Sequence, residues 1–266
     1  MATATAYLDR VLPAIDRLAG RFTDLVTAAP DPAARIPDSD WTVREATAHV
    51  VTGTRRFVDR PEGRGTWVAD PRDLGALNDA QIEALAGLDV RELAARLRGD
   101  LTVLAAQVRA YGGAPPSFTF HGGVEVAADV ALGILLGELV VHGWDIARVT
   151  GHPWPIDGGD VELILEGVEA ILPGWVDRDA AGGLTATFEV RLRGGGTHVW
   201  SFRGGRLEVA PAGRRPDVRI STDPVALLLV FYRRQSQWRH IARGRMLAWG
   251  RRPWLAFTLA GRFHKP

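Results

Sequence analysis

Glu138 and His142 lie four positions apart within a long apolar stretch of the chain. On an α-helix this spacing places the carboxylate and the imidazole one turn apart on one face, where they could share a metal ion. The flanking leucines and valines predict a buried helix, and a buried carboxylate needs a partner that offsets its charge. A metal ion is one such partner. A hydrogen bond between the two side chains is the simpler alternative, since such pairs are common on helices.

A third ligand would have to come from another of the seven histidines. His49 lies on a largely apolar stretch of a predicted helix, where a histidine is more often a core residue than a ligand. His121, in a loop flanked by glycine, could also approach the site. Two histidines and one glutamate would leave one coordination position open, as a catalytic zinc site requires.

Asp145 lies one turn after His142 and is expected either to orient that imidazole or to contact a substrate. A pairing of Asp145 with Arg148, three positions further on, is the competing interpretation and weighs about equally. Anionic parts of a substrate or cosubstrate would need cations nearby. The candidates, each of which could equally be a solvated surface residue, are Arg44, Arg56, Arg148 and Arg234.

The chain has no cysteine. Any metal must therefore be held by histidine or carboxylate side chains, and any sulfur chemistry needs a sulfur that a cosubstrate brings. With 266 residues, of which 46% are apolar and 24% charged, the composition is that of a globular protein with one large or two smaller domains. No apolar run is long enough to cross a bilayer, and no basic, apolar leader is present. A soluble cytoplasmic protein is expected.

The basic residues are concentrated at the C-terminal end. Nine of the 32 follow Asp223, the last acidic residue, which leaves 23 against 31 acidic residues in the preceding part. A basic tail that contains tryptophan could contact nucleic acid, but it has no recognisable nucleic-acid motif and its arginines alternate with apolar residues. A site for small anions, or docking onto the acidic part of the chain, is favoured. No nucleic-acid or membrane partner is expected.

Apolar residues at helical spacing predict an all-helical region over residues 1–175. Its first two helices span 3–28 and 41–56, the second capped by Ser39 or Asp40. Residues 61–74 read as a loop, and Asn78 is predicted to cap a helix that breaks near Gly87. Asp89 begins a longer helix through residue 110, and a short hairpin or loop follows over 118–126. The last two helices are expected over 127–150 and 157–172.

Alternating residues then predict strands, which begin at 184. They span 184–193, 197–203, 206–210 and 218–221, separated by glycine turns. A helix is expected over 225–232, with more helix after it as far as Ile241. A further helix is expected over 253–259. The predicted fold is therefore a helical domain, 1–175, followed by an α+β domain of antiparallel strands and helices, 184–266.

Two segments resemble the mycothiol-dependent maleylpyruvate isomerase family, a branch of the DinB-like helical metalloproteins. Residues 40–49, Asp-Trp-Thr-Val-Arg-Glu-Ala-Thr-Ala-His, are similar to its opening motif D-W-(T/S)-V-R-D-x-x-x-H. Residues 138–151 are similar to its second motif, E-x-x-x-H-x-x-D-(L/I)-A-x-x-x-G. Residues 217–230 resemble the strand-to-helix junction of a sterol-carrier-like domain. Gly244 and Gly250 fit that domain's glycine spacing, although arginines follow where aspartate is frequent.

The resemblance implies a DinB-like four-helix bundle and a sterol-carrier-like C-terminal domain. It also implies that His49, Glu138 and His142 hold a divalent metal, with zinc expected. Mycothiol would be the cosubstrate, and a thiolate formed at the metal would add to a small electrophile or isomerise it. Asp145 and Arg44 are expected to act in catalysis, and Arg148 and Arg234 to contact the thiol. The arginine-rich composition fits an actinobacterial source.

Two other interpretations stay open. One is a lipid- or ligand-binding protein that uses an apolar pocket in the C-terminal domain. The other is a metal-containing protein that sequesters a reactive compound without turnover. The electrophile, the choice between isomerisation and thiol transfer, and a monomeric or homodimeric state are not decided by the sequence.

Overall fold

Contacts within the chain separate it into two units, Met1–Pro155 and Ile156–Pro266. The structure, a computed structural model, describes residues 2–211 and 215–264. The division lies before the predicted boundary at 175–184, because the helix Gly158–Ile171 packs against the later helix Pro224–Phe231. Together the units combine helices and two sheets, as the predicted mixed fold requires. The DinB-like and sterol-carrier-like character of the two units stays a prediction.

The described part of the first unit, residues 2–155, contains five α-helices and one hairpin. They are, in chain order, α1 (Ala2–Thr27), α2 (Val43–Asp59), α3 (Leu74–Glu83), α4 (Val90–Ala110), β1 (Ser117–Phe120), β2 (Val124–Ala127) and α5 (Leu132–Thr150). Helices α1 and α2 each contact both α4 and α5, so four helices enclose one apolar core. Phe22, Leu93, Leu135 and Leu139 are fully buried in the unit's core. The hairpin β1–β2 confirms the first of the two structures expected over 118–126.

Local hydrogen bonds decide where these helices begin. Thr42, and not Ser39 or Asp40, caps α2: its hydroxyl accepts the Glu45 N–H, and the Glu45 carboxylate accepts the Thr42 N–H. Asp89 caps α4 in the same way, as predicted. The prediction for Asn78 is wrong.

Helix α3 begins four residues before Asn78, because Pro71–Asp73 already forms a 3₁₀ turn capped by Asp70. The predicted loop over 61–74 therefore contains ordered helical turns, including a second one over Arg60–Glu62. Helix α5 begins at Leu132 and not at residue 127, because 124–127 pairs as strand β2.

The second unit contains one five-stranded sheet and its helices. The elements are α6 (Gly158–Ile171), α7 (Arg178–Ala181), β3 (Ala186–Leu192), β4 (Thr197–Arg203), β5 (Arg206–Ala210), β6 (Val218–Thr222), α8 (Pro224–Phe231), α9 (Gln237–Ala242) and β7 (Met246–Gly250). The strand order is β5-β4-β3-β6-β7. The expectation of an entirely antiparallel sheet is wrong, because the chain returns after β5 to place β6 parallel to β3.

Apolar side chains on one face of this sheet form the core of the second unit. Phe188 pairs with Trp200 across β3 and β4, and both are essentially inaccessible to solvent, as is Phe202. Strand β7 and the short helix α7 were not predicted. None of the helices within the described ranges has the length and apolarity needed to cross a membrane.

Candidate metal centre

Three side chains from two packed helices converge inside the first unit. The Nε2 atom of His49, on α2, lies 3.0 Å from Oε2 of Glu138, on α5. The Nε2 atom of His142, one turn after Glu138, lies 3.3 Å from the same oxygen. The two imidazole centroids are 4.8 Å apart in an edge-to-face arrangement. The ligand atoms that the three residues offer all lie within 4.8 Å of one another.

These separations fit a single divalent ion. Donor atoms bound tetrahedrally to zinc at about 2.0–2.1 Å lie roughly 3.3 Å from one another. The two measured nitrogen–oxygen distances, 3.0 and 3.3 Å, are close to that value. Among the described residues this is the only group of three or more potential metal ligands that meet in this way. Three ligands leave a fourth tetrahedral position for an exogenous group.

The protonation states also fit metal ligation. Burial lowers the pKa of His49 to about 4, so its imidazole is neutral at neutral pH. Burial alone would raise the pKa of Glu138, but the neighbouring His142 and His49 hold it well below its usual range. Metal ions bind neutral imidazoles and ionised carboxylates. The site therefore presents the required forms of these two ligands without a change in proton content.

Two further residues lie beside the three converging side chains. Oδ2 of Asp145 lies 3.6 Å from Nδ1 of His142, the ring nitrogen that faces away from Glu138. A carboxylate in this position can accept the remaining N–H of a metal-bound imidazole and hold the ring in orientation. The Trp41 ring lies 4.6 Å from the His49 ring and 6.0 Å from the His142 ring, measured between centroids. Trp41 therefore contributes an apolar wall to the site.

Residues 11–147 match the family model described as the mycothiol maleylpyruvate isomerase N-terminal domain. The match covers more than half of the chain and includes all three converging side chains. The chain belongs to this family. Its membership confirms the family that the two sequence motifs indicated. The sterol-carrier-like resemblance of the second unit lies outside the matched range and stays a prediction.

Solved structures of this family share the fold of the chain. The crystal structure of the mycothiol-dependent maleylpyruvate isomerase gives a TM-score of 0.53 at 17% identity, covering 84% of this chain and 87% of that one. A histidine-to-alanine mutant of that enzyme gives a TM-score of 0.53 at 16% identity with the same coverage. At these identities the likeness establishes the fold alone.

Curated relatives add no activity. Two uncharacterised proteins from two strains of Mycobacterium tuberculosis are each 28% identical to the chain over 134 residues. The aligned stretch is 50% of this chain and 61% of each relative. The chain thus covers less than two thirds of their length.

The predicted catalytic and thiol-binding arginines have other contacts. Arg44 donates to the carbonyl oxygens of Leu85 and Leu88, which ties α2 to the segment after α3. The guanidinium of Arg148 lies 4.8 Å from the Trp144 ring and 3.8 Å from the exposed Asp38 carboxylate.

The third of these arginines lies in the second unit. Arg234 donates to the Tyr232 carbonyl oxygen and lines an open surface pocket of about 380 Å³ with Trp238 and Phe257. The catalytic role of Arg44 and the thiol contacts of Arg148 and Arg234 stay predictions.

Arg56 and His121 both lie within the electrostatic influence of Glu138. Arg56 lies seven residues after His49 on the same face of α2, and its charge acts on both His49 and Glu138. His121 is buried, and its Nδ1 accepts the N–H of Val68, so it serves as no ligand of the three-residue cluster. The i, i+7 spacing of Arg56 from His49 was the available signal in the sequence.

Proposed function

We propose that the chain is a metal-dependent isomerase that uses mycothiol to act on a small electrophile. The solved enzyme that it resembles is by name a mycothiol-dependent maleylpyruvate isomerase. The observation that carries the proposal is the convergence of His49, Glu138 and His142 at metal-ligand distances in a member of this family. Zinc is the preferred ion, since two imidazoles and one carboxylate are a common catalytic zinc set. When bound, such an ion lowers the pKa of a coordinated thiol, so that the thiolate is available near neutral pH.

The residues of the chain would divide the work as follows. His49, Glu138 and His142 hold the ion and leave one position for a thiol. Asp145 fixes the orientation of the His142 ring, and Trp41 shields the two imidazoles from water. Because the chain has no cysteine, the thiolate must come from the cosubstrate. Addition of a thiolate to a conjugated cis double bond allows rotation, and its loss gives the trans isomer with the thiol regenerated.

Conjugation is the alternative outcome at the same site. A thiolate that opens an epoxide or displaces a leaving group stays attached to the product, which makes the protein a thiol S-transferase. The site geometry is equally compatible with both reactions, because both begin with an available thiolate. The name of the solved isomerase favours the first.

Metal content and thiol dependence test the proposal together. The purified protein should contain about one zinc ion per chain by elemental analysis, and His49→Ala and His142→Ala should each lose it. His152→Ala is the matched control, since His152 is an exposed histidine just after α5. Isomerisation of maleylpyruvate, followed by absorbance, should require both mycothiol and the metal.

Several results would contradict the proposal. Full zinc content in both histidine variants would show that the ion lies elsewhere. Activity without added thiol would remove the role of the cosubstrate. Stoichiometric binding of an electrophile with no product released would instead support sequestration. A stable conjugate between mycothiol and an epoxide would identify the transferase alternative.

A further inference from the structure

Two arginines beside the metal centre lack a carboxylate partner. Arg56 and Arg60 lie four residues apart at the end of α2, so their side chains share one face. Neither forms an ion pair with any residue in the ranges 2–211 and 215–264. The neighbouring Arg55, by contrast, is paired with Asp59 and Asp100. Two like charges at this spacing repel each other, so their placement calls for an anion.

The Arg56 side chain is held in place by neutral groups. Its Nε and Nη2 donate to the Gln81 amide oxygen at 3.0 and 2.6 Å, and Nη2 also donates to Asn78 at 2.6 Å. Burial lowers the Arg56 pKa to about 10, which leaves the guanidinium charged at neutral pH. Its Nη1 donates to none of the described residues. The guanidinium is thus oriented by α3 while part of its donor capacity remains unused.

Arg60 is fixed in a similar way. Its Nη2 donates to the Thr119 carbonyl oxygen at 3.1 Å, and its Nη1 donates to that of Gly65 at 3.1 Å. Its Nε is buried and has no acceptor within the described part of the chain. A buried donor without an acceptor carries a desolvation penalty that a bound anion would remove.

Both arginines line one small cavity with His121 and aromatic rings. Phe57, Trp67, Phe118 and Phe120 supply its apolar walls. Burial, together with the charges of Arg56 and Arg60, lowers the His121 pKa to about 4, so that ring is neutral at neutral pH. Its Nδ1 accepts the Val68 N–H, which places the ring proton on Nε2. With a volume of about 10 Å³, the cavity has room for a water-sized polar group and not for a whole ligand.

The cavity also lies within the electrostatic field of the metal centre. Burial lowers the pKa of both Arg56 and His121, and the negative charge of Glu138 partly offsets that lowering in each case. Glu138 is already engaged by two imidazoles, so its charge is shared with the ligand cluster. The two positive charges of a divalent ion there would exceed the single negative charge of Glu138 by one. The positive charge facing the cavity would then be greater than in the metal-free protein.

We propose that Arg56 and Arg60 form a carboxylate-binding site that selects an anionic electrophile for the neighbouring metal centre. A carboxylate could accept one charge-assisted hydrogen bond from each arginine, since Arg56 Nη1 and Arg60 Nε are the donors with capacity for one. The site would reject neutral epoxides and enones, since these leave two partly buried cations without a counter-charge. This selectivity rests on the proposed function.

Binding of maleate, which cannot react without a thiol, provides the test. Calorimetric titration would compare maleate with its uncharged diamide on the zinc-loaded and the zinc-free protein. We expect maleate to bind at least about tenfold more tightly than the diamide. Arg56→Gln and Arg60→Gln should each weaken maleate binding by about tenfold or more, as expected for a lost charged hydrogen bond. Both variants should retain zinc.

Two further variants control for fold and for general charge. Arg56→Lys retains the charge but not the guanidinium that Gln81 and Asn78 orient, so it should bind maleate with intermediate affinity. Arg96→Gln removes an exposed charge from α4 and should bind maleate as the wild-type protein does. Thermal melting of each variant would show that it is folded.

Each outcome either supports or overturns the proposal. Unchanged maleate affinity in both glutamine variants would overturn it, and so would equal affinity for maleate and the diamide. Maleate binding that needs zinc and ignores the arginines would place the anion on the metal. Arginine-dependent binding in a protein without thiol-dependent activity would retain the carboxylate site and refute the proposed enzyme. Activity restricted to neutral electrophiles would support the proposed enzyme and refute the carboxylate site.

Discussion

Replacement of Glu138 by glutamine tests the metal centre with little change in side-chain volume. The carboxylate contacts both imidazoles and supplies the only negative charge among the three converging residues. Glutamine retains one oxygen but loses that charge, so it can no longer offset part of the charge of a divalent ion. We expect the metal-free variant to fold and to lose its response to zinc.

The size of that response follows from linkage. A ligand present at about 1,000 times its dissociation constant stabilises the folded state by about 4 kcal/mol. For a domain of about 150 residues each kcal/mol raises the melting temperature by roughly 2–4 °C. The first unit, Met1–Pro155, has this size. Saturating zinc should therefore raise the melting temperature of the wild-type unit by about 8–16 °C.

Differential scanning calorimetry with and without zinc measures this shift directly. Glu138→Gln should show a shift near zero, while Glu83→Gln, which removes an exposed charge from α3, should show the full one. Comparison of each protein with its own metal-free form removes any effect of the substitution on intrinsic stability. A full zinc-induced shift in Glu138→Gln, or none in the wild-type protein, would refute the assignment of the metal site.

Three other predictions concern neighbouring or independent features. Asp145→Asn should weaken zinc binding by about 10–100-fold in a chelator competition, and an unchanged affinity would remove its supporting role. Gly143→Ala should cost about 1–3 kcal/mol in urea unfolding, because its Cβ would overlap the Trp154 ring. Burial opposes protonation of His198, yet Glu169 raises its pKa overall. The stability that this pair gives should be present at pH 6 and decline as the pH rises through that raised value, and His198→Gln should abolish the decline.

The sequence predicted the parts of the site that depend on local spacing. The four-residue interval between Glu138 and His142 is sufficient to place both side chains on one face, and the apolar neighbours correctly indicate burial. His49 is different, since 89 residues separate it from Glu138. The periodicity of a helix does not show which face of a distant helix His49 will contact. Only the resemblance of its motif to a family selected His49 over His121.

The errors in the fold have the same physical origin. The alternation of β6 predicts a strand but does not reveal that β3 is its parallel neighbour. Strand β7 pairs at the sheet edge, where the apolar side chains of Leu247 and Trp249 are exposed. Its residues therefore do not show the alternation of apolar and polar residues that predicts a half-buried strand. The sequence did not distinguish Arg56 from the other candidate arginines. The residues that orient it, Asn78 and Gln81, lie on α3, and the predicted start of that helix was wrong.

The hydrogen bonds at the metal centre indicate unequal support for its two imidazoles. An ionised Glu138 can only accept, so the Nε2 of His49, 3.0 Å away, must carry the ring proton in the metal-free state. If His49 held a metal through Nε2, that proton would have to lie on Nδ1 instead. For His142 the Asp145 carboxylate lies 3.6 Å from Nδ1 and can receive it. For His49 the Nδ1 atom is buried and has no hydrogen-bond partner among the described residues. A bound metal would therefore leave one ring with an acceptor nearby and the other with an unsatisfied donor, so support from outside the three ligands would come from Asp145 and act on His142 alone.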